Sequence, residues 1–308
     1  MNHTSLHYAI LEDDLRGFER LLRDDPARID VLDRGGLAPH DVAVSEDEPR
    51  YLKRLIAAGL HARPALLHQL ALDAVDQHAW RAFAALLPLV DDVNRRSDLN
   101  DTLWMRVARA GEQDEREAAR ALKRLAAMGA EVNALDDEAD TVLMFNACWG
   151  RTRRVKTLLS LGVDPNLRDA TGDAALAWAA QSGVWPCVAA LLRAGATPQY
   201  APRGFLGSPL HKAAYVGSAR SVRLLLRAGA DPDELDAQGR TFIEAAQAGL
   251  ERLDALRAGK RGLTIKWIAG ERFMEVMLSA SGYADYVDHH AAILRMRQAR
   301  RDRPKAAQ

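Results

Sequence analysis

The sequence predicts an all-α solenoid, a stack of helix-turn-helix units, on three observations. One motif recurs at a spacing of 33 to 34 residues. Each copy couples an alanine-rich stretch to a Val/Leu-rich one, and a glycine closes each stretch. Ala and Leu carry the apolar content while aromatic residues make up only 6% of the chain, a mix that suits close-packed helices.

The repeat is plainest in three stretches: TVLMFNACWG at 141–150, AALAWAAQSG at 174–183 and SPLHKAAYVG at 208–217. A second glycine follows 12 residues after each, at Gly162, Gly195 and Gly229. A Thr or Ser at the start can cap a helix by accepting a free backbone N–H. Proline next, as at Pro209, has a pre-set φ and lacks an N–H that would go unused. Small alanines let a neighbouring helix approach. Glycine ends a helix in a left-handed conformation. A helix pair of this kind cannot bury its apolar face alone, so stacking is required.

These residues resemble the ankyrin repeat, whose hallmark is Thr-Pro-Leu-His-x-Ala within a 33-residue unit. SPLHKA at 208–213 nearly matches it, and TSLHYA at 4–9 is close. Weaker copies start at Ala38, Ala65, Thr102 and Thr241. The resemblance covers residues 4–250. It implies about 7–8 units with short β-hairpin fingers, and 251–308 is read as a helical C-terminal cap with a basic tail.

Two departures mark the array. Thr102 to Thr141 spans 39 residues, the excess lying in the acidic run Glu112–Glu117. Ala38 to Ala65 spans only 27, which removes the finger after Gly59 and predicts irregular stacking over 35–100, with a kink near residues 35–70.

Bulk properties narrow the function. Hydrophobic residues are 48% and charged residues 27% of 308, so the chain can bury a core. Lys+Arg and Asp+Glu balance at 42 each, which gives no net pull toward nucleic acid or an anionic membrane. Two cysteines, Cys148 and Cys187, fit a reducing compartment, and a cytoplasmic protein is expected. No secretory leader and no apolar run of about 18 residues is read from the sequence. Arginine outnumbers lysine, as in a GC-rich bacterial genome.

Catalytic and cofactor signatures such as HExxH, GxSxG, paired CxxC and the phosphate loop are not found, so a non-enzymatic protein with no cofactor is expected. His289 and His290 are adjacent and make a poor chelate on a helix. His3 and His7 lie at chelate spacing, but His7 and His211 occupy the ankyrin His position, which implies a tie to loop backbone. The stretch Ala258–Gly262 lacks the glycine and hydroxyl of a phosphate loop.

The resemblance implies that partners bind the face made by the first helices and the finger tips. The first-helix positions concerned are Phe145, Cys148 and Trp149, then Trp178, Gln181 and Ser182, then Lys212, Tyr215 and Val216. The fingers add Asp137, Glu138 and Asp140, then Thr171 and Asp173, then Phe205 and Leu206. The predicted partner-binding set is Phe145, Trp149, Trp178, Phe205 and Tyr215 with Asp137, Glu138, Asp140, Asp173 and Lys212, because aromatics dominate binding hot spots. The alternative is that these aromatics fill gaps between repeats. Trp104 takes the repeat's Leu slot and reads as core; Trp185 reads as covering the outer side. The acidic runs Glu46–Glu48 and Glu112–Glu117 read as solvated faces, or as docks for a basic partner. The basic tail Arg295–Lys305 has no interleaved aromatics, so nucleic acid is not the expected partner.

The expected function is binding another protein as adaptor or regulator, with a host protein as one possible partner. The alternative is an inhibitor or immunity protein that occludes a cognate bacterial toxin, its acidic fingers suiting a basic target.

Overall fold

Helices begin where a side chain or a proline can serve the free N–H groups. Thr102 and Thr141 each accept a bond from the backbone three residues on, at 3.2 Å. Ser208 does not cap in this way. Its hydroxyl bonds His211 Nδ1 at 2.9 Å, and Pro209 starts that helix. The structure, a computed structural model, describes residues 5–199, 207–257, 291–293 and 295. Most of the expected C-terminal cap and its tail, with Ala258–Gly262, His289 and His290, lies outside these residues, as does His3.

The chain divides into two compact units at Val132/Asn133. The boundary expected at residue 250 falls inside a continuous helix, Phe242–Arg257.

In the first unit α1 (Leu6–Leu11) pairs with α2 (Leu15–Asp24), and α3 (Pro39–Ser45) with α4 (Pro49–Ala57). Likewise α5 (Pro64–Asp76) pairs with α6 (Trp80–Leu86), and α7 (Leu103–Arg109) with α8 (Glu115–Ala127). The finger after Gly59 is indeed replaced, by the 3-10 turn Leu60–Ala62. The predicted irregularity does not part the first helices: α3 packs on both α1 and α5, and α5 on α7. Buried Leu60 and a bond of 2.7 Å from Arg63 to Asp30 hold the short link.

The insert after Gly111 forms a 3-10 turn, Glu112–Asp114, and lengthens α8 to 13 residues. It is not wholly solvated. Asp114 is buried, accepting from Trp80 Nε1 at 2.9 Å and meeting His78 Nδ1 at 2.6 Å. Trp104 is fully buried.

The second unit holds the regular array. Here α9 (Val142–Cys148) pairs with α10 (Thr152–Ser160), and α11 (Ala175–Gln181) with α12 (Trp185–Arg193). The third pair is α13 (Pro209–Tyr215) and α14 (Ala219–Arg227), after which α15 (Phe242–Arg257) packs on α13. First helices form one row and second helices another. At Gly249 the α15 backbone comes so close to Tyr215 that an added Cβ would lie 1.9 Å from its carbonyl oxygen.

The fingers share one local design. Asp136, Asp169 and Asp236 each accept from the backbone N–H groups two and four residues ahead, at 2.8–3.0 Å. Their tips need a positive φ, which Gly172 and Gly239 supply and Ala139 adopts at 61°. The expected β-hairpins are reduced, among the described residues, to isolated bridges at Leu135–Thr141 and Arg168–Ala174. Side-chain amides tie successive loops: Asn166 accepts from Thr197 N at 2.8 Å and donates to Gly195 O at 3.1 Å.

Candidate protein-binding surface

The first-helix face of the second unit gathers most of the predicted residues, but not as a uniformly exposed stripe. Phe145 and Trp149 stand four residues apart and so share one face of the α9 turn. Their ring centroids are 6.1 Å apart. Trp149 is 53% exposed and Phe145 half-buried. The Arg151 guanidinium lies 5.4 Å from the Phe145 ring centre and 5.9 Å from that of Trp149. At the finger end of α9, Asp137 and Glu138 are exposed and Asp140 half-buried.

Lys212 and Asp173 depart from the expectation. A residue that meets a partner must be accessible, yet both side chains are 5% exposed and pair with each other. The Lys212 ammonium also sits 5.8 Å from the Trp178 ring centre. Burial pushes the Asp173 carboxyl above its ordinary value, against the opposing pull of Lys212. A charge can be buried here because its counter-charge arrives from the next repeat. Ser182 and Val216 are buried as well.

Trp178 is half-buried, its indole N–H donating to Asp169 at 3.0 Å. Tyr215 is half-buried and its hydroxyl accepts from Arg252 at 3.2 Å. Phe205 and Leu206 lie outside the described residues. Cys148 is half-buried; burial foremost, then Asp140, pushes its thiol up. Cys187 is buried, 3.1 Å from the Thr152 hydroxyl.

His7 and His211 behave as structural ties. His7 Nε2 donates to Leu37 O at 2.9 Å and His211 Nε2 to Arg240 O at 3.0 Å. Among the described residues no group of three or more His, Cys, Asp or Glu is placed to hold a metal ion. No described helix is long and apolar enough to cross a membrane.

Paired short helices in stacked rows, joined by side-chain-tied loops, define a helical-repeat scaffold. Residues 104–202 match the family described as ankyrin repeats in three copies, and residues 207–237 match the single ankyrin repeat. Residues 104–202 and 207–237 of the chain are thus ankyrin repeats. No curated protein matches it. Ankyrin repeats in general mediate protein–protein contact.

Proposed function

We propose that this chain is a non-enzymatic binding protein that holds a partner protein on the first-helix face of its second unit, as an adaptor or regulator. The observation that carries this reading is the Trp149–Phe145–Arg151 cluster. An exposed indole with a neighbouring ring and a guanidinium is the residue chemistry of interface hot spots. Burial of Lys212 and Asp173 contracts the contact set to Phe145 and Trp149 with the finger residues Asp137, Glu138 and Asp140. Trp178 and Tyr215 border it.

The alternative is an inhibitor or immunity protein against a toxin with a basic face. Exposed Asp137 and Glu138 favour it. In either case Trp149→Ala should release the partner, because loss of a hot-spot indole costs about 2 kcal/mol or more. A pull-down with the full chain and with Trp149→Ala tests this. A partner retained equally by both would refute the placement. For the alternative, charge reversal at Asp137 and Glu138 should abolish protection in cells that carry the toxin, and intact protection would exclude it.

A further inference from the structure

The second unit has another face, built from its second helices, with a charge pattern of its own. No Asp or Glu occurs in residues 150–163, 183–196 or 217–230, the stretches that hold α10, α12 and α14. The acidic residues of this array sit on the fingers instead. The turns at Gly150, Gly183 and Gly217 set the three helices in phase. Arg153 and Lys156 on α10 therefore correspond to Pro186 and Ala189 on α12, and to Arg220 and Arg223 on α14. Spacings of three and four residues put each set on one helix face. The four basic side chains are exposed, and Pro186 and Ala189 are half-buried. Adjacent helices lie about 8–10 Å apart. The middle helix thus forms a small-residue floor between two cationic walls.

Arg193 and Arg227 continue the exposed basic set at the far end. At the near end stands Trp185, 41% exposed, with the Arg220 guanidinium 5.4 Å from its ring centre. The first unit handles comparable arginines differently. Arg50 pairs with Asp13 and Glu48, and Arg54 with Glu19. Among the described residues Arg153, Lys156, Arg220 and Arg223 have no carboxylate partner.

We infer that the α10–α12–α14 face docks an acidic polypeptide segment of a partner protein, laid along α12. Its carboxylates would meet Arg153 and Lys156 on one side and Arg220 and Arg223 on the other, with an apolar residue against Trp185. Guanidinium groups match carboxylates in geometry as well as charge. A polypeptide is favoured over a nucleic-acid strand for two reasons. Stacking of successive bases needs a row of open aromatic platforms, and this face offers Trp185 with an arginine already at its ring. The basic side chains also stand as two separate walls with Pro186 and Ala189 between them, not as the continuous cationic groove that tracks a phosphate backbone.

The test uses the full chain and a fluorescent oligoglutamate peptide ending in leucine, followed by anisotropy. The expected result is saturable binding that weakens with added salt. Arg220→Glu with Arg223→Glu should weaken it by about tenfold or more. Reversal of the exposed first-unit residues Lys53 and Arg81 should leave it unchanged. Circular dichroism would check that both variants fold. Absence of binding, or equal loss in both variants, overturns the inference. So does preferential binding of a single-stranded oligonucleotide that the Arg220/Arg223 reversal abolishes.

Discussion

Removing the Asp173 carboxylate should strand a buried ammonium. The finger before α11 supplies Asp173, and Lys212 comes from α13, 39 residues later; both side chains are 5% exposed. Loss of one member of such a pair costs about 3–5 kcal/mol, because the remaining charge is left in a poorly solvating site. Asp173→Ala should therefore destabilise the second unit by about that amount. Lys212→Met should cost less, since the carboxyl left behind can take up a proton and burial already raises its pKa. A group whose pKa is raised on folding gives its full stability below the unfolded value and loses it as pH rises through the folded one. The Lys212→Met deficit should accordingly grow as pH rises above the ordinary carboxylate range. Combining Asp173→Ala with Lys212→Met removes both charges and should cost about 1 kcal/mol or less, which gives a coupling of at least about 2 kcal/mol. Urea unfolding followed by tryptophan fluorescence measures all four corners. A cost for Asp173→Ala below about 1 kcal/mol, or simple additivity of the two changes, would refute the reasoning.

Other residues give independent predictions. The Tyr51 phenol is pushed up to about 12 by burial first and then by its bond to Asp13. Stability linked to it should be intact below pH about 10 and fall as pH rises toward about 12, a loss that Tyr51→Phe removes in alkaline unfolding. Trp104→Ala should cost about 3–5 kcal/mol in urea unfolding, whereas Trp149→Ala should change stability by no more than about 0.5 kcal/mol. Ala139→Gly should stabilise by about 1 kcal/mol, since Ala139 holds a φ of 61° that glycine adopts without strain; a lower melting temperature would count against this.

The regular repeats were readable because one chemistry recurs in them: a cap or proline, small alanines, a turn glycine. The first three repeats hide their turns. Where the second unit uses Gly150, Gly183 and Gly217, the first uses Asp13, Asp47 and His78, at φ of 55°, 49° and 59°. All three also bond the next repeat, His78 through its 2.6 Å contact with Asp114. Asp13 accepts from the Tyr51 hydroxyl at 3.0 Å and Asp47 from Ala82 N at 2.7 Å. A search for glycine passes over such turns, although Asp tolerates the left-handed region. The buried charges were less legible still. Charged residues are rarely buried unless paired, and nothing local links Lys212 to Asp173 or Asp114 to His78 and Trp80. Those pairings follow from stacking, which sets residues one repeat apart against each other. The aromatic cluster was half legible: the spacing placed Phe145 and Trp149 together, while the Asp169 bond that holds Trp178 depends on finger geometry.

The most direct test of the binding surface is a covalent footprint of the full chain with and without its captured partner, read at single residues by mass spectrometry. Trp149 and Phe145 should lose reactivity on binding, while the buried Trp104 stays unreactive in both states. Unchanged labelling of Trp149, with protection confined to the first unit, would contradict the account.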